Sequence, residues 1–204
     1  MGMSGCNHNS EGAAAARPEA AIPSGWKVYT AADKGFTVAA PADWTPIDMT
    51  TEETKRSAGT IIKGKPGDTV SRVVQYMSGQ RMSSFLLVGK SDSKKNFLNY
   101  LSILELPVAD NKSLDDHAHN YSAGLASTGA RELSLEQVQI GGGDAIKIHS
   151  GVDKGSVKAS VWSYLIPGKA GGNKEYALSV SLLEPEDPNT LKVAQQIVET
   201  FRPN

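Results

Sequence analysis

The stretch YTAADKGFTVAAPADW, residues 29–44, predicts the strand pair with which the folded part of this chain begins. Phe36, Val38 and Ala40 occupy alternate positions, an alternation that is typical of a strand with one buried face. The Ala-Asp-Lys-Gly segment before them favours a tight turn. A short aromatic segment from Trp26 precedes that turn and predicts the partner strand, so we expect ordered structure to begin near Trp26.

A first amphipathic helix is predicted from Ser113. The sequence Ser-Leu-Asp-Asp has the spacing of a capping box, with Asp116 in the place of the usual glutamate. The apolar residues that follow share one helical face and indicate a helix of about 12–15 residues. A polar segment at 50–57 predicts a further short helix with Thr50 or Thr51 as its N-cap. The apolar face of the first helix consists of Leu114, Ala118, Tyr121 and Leu125.

A second amphipathic helix is predicted near the end of the chain. Asp187 followed by Pro188 is typical of a helix start, because the aspartate caps free backbone N–H groups and proline fits the first turn. We expect Pro203 to end this helix. Its apolar stripe consists of Leu191, Ala194, Ile197, Val198 and Phe201.

Further strands are predicted by alternation and by short apolar segments. Glycine-containing segments at 141–144 and 153–155 predict tight turns between the later strands, which indicates an antiparallel meander. A sheet with one helix from the middle of the chain and one from its end is an α+β fold with layered elements. The predicted strands lie at 70–77, 83–88, 102–108, 138–140, 145–150, 157–166 and 176–183, with a polar connection at 91–96.

Composition excludes several classes of function. The 204 residues contain 21 basic and 22 acidic side chains, for a net charge of −1. No basic field is therefore present to attract nucleic acid or an anionic membrane surface, and we expect no nucleic-acid partner. No segment approaches the roughly 18 consecutive apolar residues that cross a bilayer. The single cysteine excludes an internal disulfide.

The sequence Met-Ser-Gly-Cys, ending at Cys6, resembles the end of a bacterial lipoprotein signal. The resemblance implies cleavage before Cys6 and a thioether-linked diacylglycerol on its sulfur. Methionine replaces the usual leucine, and the apolar core of a signal is not in the sequence, so we interpret the leader as trimmed away. Residues 1–25 are then leader and flexible tether, and residues 26–204 the folded domain. The alternatives are an ordinary surface cysteine and a cytoplasmic protein.

The order of these elements resembles that of PsbP-like domains. The strand pair 29–44, ending in Pro-x-x-Trp, is similar to the opening of those domains, and Tyr-Ala-Leu from Tyr176 and VAQQIVETF at 193–201 match their last strand and terminal helix. The resemblance implies an antiparallel sheet sandwiched by helices, an α/β/α arrangement, over residues 26–202. The family includes a photosystem II subunit, a Ran-binding import factor and bacterial lipoproteins, and it implies macromolecular binding without catalysis.

Motifs for catalysis or cofactor binding are incomplete. Gly89-Lys90-Ser91 is similar to the end of a P-loop, but position 84 is serine where that motif requires glycine. The three glycines at 141–143 lack the spacing of a dinucleotide site and favour a hairpin turn. No nucleophile elbow or zinc-protease motif is found. We therefore expect no catalytic residues, no cofactor and no enzyme activity.

Asp115-Asp116-His117-Ala118-His119 is the one cluster with metal-ligand chemistry. Residues two apart on a helix point about 160° from each other, so His117 and His119 do not share a site. We expect His117 at the edge of the apolar face and His119 in solvent, paired with Asp115. We therefore predict no metal ligands in this cluster.

A surface for recognition is suggested by the strand at 157–166. Lys158, Ser160, Trp162 and Tyr164 share one face, and aromatic residues are enriched at protein interfaces. The favoured interpretation is that a helix covers this face. The sequence thus predicts a non-catalytic extracytoplasmic lipoprotein, anchored through Cys6, that binds or assembles a membrane-associated protein complex. The alternatives are a periplasmic carrier of a small ligand or metal, and an enzyme with an unrecognised site.

Overall fold

The structure, a computed structural model, describes residues 21–48, 84–92, 97–108, 112–127, 129–154, 157–168 and 173–204. The predicted helix at 50–57, the predicted strand at 70–77 and Cys6 lie outside these residues. The described elements, in chain order, are β1 (Trp26–Thr30), β2 (Phe36–Pro41), β3 (Thr45–Asp48), β4 (Ser84–Asp92), β5 (Phe97–Pro107), α1 (Leu114–Ser127), β6 (Ala130–Ile140), β7 (Gly143–Lys154), β8 (Val157–Pro167), β9 (Lys174–Leu183), α2 (Pro188–Glu199) and β10 (Arg202–Pro203).

The strands form two antiparallel sheets. Seven of them form one large sheet in the order β3-β4-β5-β9-β8-β7-β6, in which β6 to β9 are the predicted meander. The other three form a small sheet in the order β1-β2-β10. The sequence did not indicate this division, because β10 contributes only Arg202 and Pro203.

The two faces of the large sheet are covered by different elements. Leu165 and Ala177 belong to the apolar cluster beneath α1, which also contains Ala118. Their neighbours Tyr164 and Tyr176 point the other way, into the main core with α2 and the small sheet. Successive residues of a strand lie on opposite faces, so helices sandwich the sheet. The predicted α+β fold with an α/β/α arrangement is confirmed.

Local sequence accounts for both helix starts. In the predicted capping box, the backbone N–H of Asp116 donates to Ser113 Oγ at 3.1 Å and the N–H of Ser113 donates to Asp116 Oδ2 at 3.2 Å. At α2, Asp187 Oδ2 accepts from the backbone N–H of Thr190 at 2.9 Å, and Pro188 occupies the first turn. Both hydrogen-bonding patterns satisfy N–H groups that have no partner within the helix.

The end of α2 differs from the prediction. The helix ends at Glu199 instead of continuing to Pro203, and Thr200 caps it with backbone bonds to Ile197 and Val198. Phe201 therefore lies beyond the helix, although it is buried in the main core as expected. Arg202 and Pro203 then pair with β2. The helix therefore ends before Pro203, because Arg202 and Pro203 adopt the extended backbone that pairs with β2.

Several strand ends also differ from the predictions. β5 begins at Phe97, and β4 continues to Asp92 through part of the predicted polar connection. β7 runs from Gly143 to Lys154, so only Gly141 and Gly142 remain in the preceding turn. Pairing with neighbours in the sheet extends strands through polar residues that alternation alone does not identify. Within the described ranges, neither helix has the length and apolar character needed to cross a membrane.

Candidate interaction site

The acidic and histidine cluster at the start of α1 does not converge on a common point. His117 faces the sheet, and its Nδ1 lies 2.7 Å from Glu175 Oε1 in β9, with both side chains mostly buried. His119 is exposed, and its Nδ1 lies 2.8 Å from the backbone oxygen of Asp115. That carbonyl raises the pKa of His119 above its ordinary value. The opposite orientations predicted for the two histidines are confirmed.

The described residues contain no group of three or more His, Cys, Asp or Glu side chains placed to hold a metal ion. Asp116 takes part in the capping box, and its hydrogen bonds with Ser113 lower the pKa of its carboxyl group. Within that part of the chain, the α1 cluster is therefore a structural feature: one histidine attaches the helix to the sheet, and one aspartate begins it.

The glycine motifs have structural roles. Gly89, Lys90 and Ser91 lie within β4, where extended backbone does not form the loop that a P-loop requires. Gly141 and Gly142 have φ angles of +58° and +87° in the turn between β6 and β7. Positive φ at both central positions is the geometry of a type I′ hairpin, which glycine adopts readily. The predicted hairpin is confirmed.

The most distinctive side-chain cluster surrounds Trp162 in the middle of β8. His149 of β7 lies directly opposite Trp162. The two rings are stacked, with centroids 3.7 Å apart and planes within 2° of parallel. Lys147 Nζ lies 4.6 Å from the centroid of the indole ring, which is a cation–π contact. The indole N–H donates a 2.8 Å hydrogen bond to Oε1 of Glu186.

The polar groups around the stacked rings are arranged across three strands. His149 Nε2 lies 2.6 Å from Ser160 Oγ in β8. Lys147 Nζ lies 3.5 Å from Oε2 of Glu136 in β6. Partial burial lowers the pKa of His149 below its ordinary value, the Glu186 carboxylate opposes this shift, and the Lys147 charge reinforces it. The lowered pKa favours the neutral imidazole, which retains one N–H donor and one acceptor.

The predicted face of β8 is partly covered. Tyr164 is buried in the main core, and burial raises the pKa of its hydroxyl to about 12. Ser160 is also buried, whereas Trp162 is half-buried and Lys158 exposed. α2 packs mainly against β2 and β9, so the predicted covering helix does not extend over the whole face. The Trp162 surface, comprising Lys147, His149 and Trp162, remains accessible in part.

Lys147 and His149 are the members of this surface that sequence reasoning did not identify. The position of His149 opposite Trp162 depends on the register between β7 and β8. The predicted turn at 153–155 is centred on Lys154 and would place His149 opposite Ala159, whereas the observed register places Lys154 opposite Val157 and His149 opposite Trp162. A shift of this kind changes every cross-strand pair, so the sequence did not bring the two rings together.

A shallow cavity of ≈140 Å³ lies on the small sheet, between the start of the described chain and the end of α2. Ligand pockets usually have volumes of about 300–1,000 Å³. Arg202, the charged residue at this cavity, already donates hydrogen bonds to the carbonyl oxygens of Glu199 and Phe201. The cavity therefore does not favour a carrier of small ligands. Its lining consists of Ile22, Val28, Thr37, Val38, Ala39, Thr200 and Arg202.

Comparison of the sequence with protein-family models gives no match. Comparison with curated proteins gives none either. Solved structures do match: the cyanobacterial PsbP protein CyanoP from Synechocystis is similar to this chain with a TM-score of 0.55 and 12% identity, over 89% of this chain and 94% of that one.

Two further solved structures share the arrangement. The Ran-binding protein Mog1p of Saccharomyces cerevisiae matches with a TM-score of 0.52 and 11% identity, over 87% of this chain and 94% of that one. LpqN, involved in cell envelope biogenesis of Mycobacterium tuberculosis, matches with a TM-score of 0.51 and 12% identity, over 87% and 89%. The chain therefore has the PsbP-like fold that its sequence resembles.

Proposed function

We propose that this chain is a non-catalytic, extracytoplasmic bacterial lipoprotein whose folded part binds a protein partner at the membrane. In this proposal Cys6 carries a diacylglycerol, residues 7–25 form the tether, and residues 26–204 form a PsbP-like domain. The likeness in fold to a Ran-binding protein and to a protein of cell envelope biogenesis supports this role. Fold alone does not determine function, so the proposal depends on a surface of this chain.

The Trp162 surface is the observation that carries the proposal. Tryptophan is enriched among the residues that dominate binding energy, especially where its ring is already held in one orientation. Here His149 stacks on the indole, Lys147 contacts its ring, and Glu186 accepts its N–H bond. A partner that covers this preorganised ring gains apolar contact without ordering a flexible side chain.

Site-specific cross-linking in the native host tests the binding role. We expect the Trp162→Ala chain to lose a cross-linked partner that the unaltered chain captures. Val28→Ala, which truncates an exposed side chain on the small sheet, is the matched control and retains the partner. Thermal unfolding verifies that each variant is folded, and His149→Ala provides a milder disturbance of the same surface. Identical partners for all four chains would contradict the proposal.

Mass spectrometry of the mature protein from that host tests the anchor separately. We expect a chain that begins at Cys6 and carries diacylglycerol on the sulfur. Stable attachment to a bilayer needs more than one acyl chain, and the two chains of the diacylglycerol meet that requirement. An unmodified Cys6 thiol would remove the anchoring part of the proposal and leave the binding role to the cross-linking result.

A further inference from the structure

We propose that two copies of this chain associate through β6, which pairs in antiparallel orientation with β6 of the second copy. This strand has 11 residues and forms one edge of the seven-stranded sheet, where β7 is its single neighbour in the order of described strands. An edge strand presents backbone N–H and C=O groups that can pair with another chain. The inference rests on a different observation from the role proposed for Trp162, although Glu136 of β6 also lies 3.5 Å from Lys147 of the Trp162 surface.

A β-bulge in β6 exposes an apolar side chain at this edge. Glu132 lies opposite Ser150 and Ser134 opposite His149, so Leu133 is an extra residue in β6. Leu133 is 45% exposed and belongs to the few large apolar side chains that the described residues leave in solvent. Its Cδ1 lies beside Gly151 of β7, at van der Waals distance from the position a Cβ would occupy there.

The same bulge brings two opposite charges onto one face of β6. Arg131 lies opposite Gly151 and Glu136 opposite Lys147. Gly151 and Lys147 are an even number of residues apart in β7, so their partners in β6 also share a face. Without the extra residue, Arg131 and Glu136 would point to opposite faces of the sheet. The two charges therefore flank Leu133 along a single row.

This row is complementary to itself. If a two-fold axis passes between Leu133 and Ser134, Arg131 of each copy lies opposite Glu136 of the other copy. On the other face, Glu132 lies opposite Leu135, so no carboxylate meets a carboxylate. Such an interface is isologous, with the same surface contributed by both copies. Arg131 forms no ion pair within the described part of the chain, which leaves it available.

The contributions to pairing differ in kind. Exposed ion pairs are individually weak, so the two Arg131–Glu136 contacts chiefly select the register. Leu133 and the backbone hydrogen bonds supply the attraction. Bulges and charges on an edge strand also disfavour pairing with other chains. A second copy in this register accommodates the bulge and pairs the charges, so the same features favour this one partner.

Sedimentation equilibrium of the full chain tests the proposal. The Cys6→Ser background excludes dimers linked through that cysteine, and we expect a reversible dimer at micromolar concentrations. Arg131→Glu or Glu136→Arg alone is expected to weaken it by about tenfold or more, because both symmetric contacts become repulsive. The variant that combines Arg131→Glu with Glu136→Arg is expected to restore the dimer affinity to within about threefold of the unaltered chain. Lys27→Glu, on the small sheet, is the charge control.

A cross-link provides a second measurement that does not depend on charge. Leu133→Cys in the Cys6→Ser background places two thiols beside the two-fold axis, and mild oxidation is expected to give a disulfide-linked dimer. Circular dichroism verifies that every variant is folded. A monomer at all concentrations up to about 1 mM overturns the proposal, as does failure to cross-link. A double exchange that leaves the chain monomeric overturns the Arg131–Glu136 register.

Discussion

The side-chain hydroxyl of Thr200 connects the end of α2 to Ala39 of the small sheet. Its Oγ1 accepts from the backbone N–H of Ala39 at 2.9 Å and lies 3.1 Å from the oxygen of Ala39 and 2.7 Å from that of Ile197. The side chain is mostly buried, so the N–H of Ala39 has the Thr200 hydroxyl as its protein acceptor. A single hydroxyl thus attaches the helix terminus to a strand far away in the sequence.

Thr200→Val is expected to reduce the free energy of unfolding by about 1–3 kcal/mol, because the buried N–H of Ala39 loses its acceptor while the shape of the side chain is kept. Urea denaturation measures the difference. Thr200→Ser retains the hydroxyl and serves as the control, with a smaller loss from the missing methyl group. Equal losses for the two variants would show that packing and not hydrogen bonding maintains this contact.

His149 shows how partial burial beside an aromatic ring changes a titration. Its pKa lies below the ordinary histidine value of about 6.5, chiefly because of desolvation. The folded state therefore favours the neutral ring. The stability that His149 contributes is fully present above the unfolded pKa and declines as the pH falls from there through the lower folded pKa.

An NMR titration of the histidine ring signals tests this expectation. A profile of stability against pH would not isolate His149, because the raised pKa of His119 changes the stability in the opposite direction. We expect the His149 signals to titrate below about pH 6.5 and to move toward that value in Trp162→Ala, where the ring becomes more exposed. His149→Gln identifies the signals by their loss. A pKa above the ordinary value in the unaltered chain would contradict the assigned environment.

At the scale of elements, the two helices are attached to the sheet by different kinds of contact. α2 places Ala194, Ile197 and Val198 in the main core. α1 buries little more than Ala118 and Ser122. Its further attachments are polar: His117 with Glu175, Ser122 with Glu132, and a hydrogen-bonded series from Tyr121 through Ser179 to Ser163. The apolar stripe of α2 was therefore the stronger signal in the sequence.

Replacement by alanine is expected to change the stability in opposite directions at Gly141, in a hairpin turn, and at Gly124, in a helix. Gly141 has a φ of +58°, and a Cβ there would lie 2.9 Å from the carbonyl oxygen of Phe201, so Gly141→Ala is expected to lower the free energy of unfolding by about 1–3 kcal/mol. Gly124 lies within α1 with open space around it. Gly124→Ala is expected to raise stability by about 0.5–1 kcal/mol.

Urea denaturation of both variants under the same conditions measures this contrast, and each is the control for the other. Destabilisation by Gly124→Ala would indicate that this part of α1 approaches a surface that its present environment does not show. A neutral Gly141→Ala would mean that the hairpin tolerates a side chain in the left-handed region, against the close contact with the end of α2.

At the scale of the molecule, the main core joins elements from both ends of the chain. Phe36 of β2 contacts Phe85, Tyr176 and Phe201 through ring pairs with centroids 5.3–5.7 Å apart. Asn204 donates its backbone N–H to the oxygen of Gly35 at 2.9 Å, which attaches the last residue to the first hairpin. The stretch at 29–44 therefore also contacts the C-terminal residues of the described chain.

The sequence by itself determined the helix starts, the glycine hairpin, most strands and the α+β class, because capping, φ preference and alternation act between residues close in the chain. Only the tertiary structure decided the separate small sheet, the end of α2 at Glu199, the stack of His149 on Trp162 and the shared face of Arg131 and Glu136. Each of these depends on strand register or on contacts between distant segments. Local patterns carry no information about such pairings until the chain has packed.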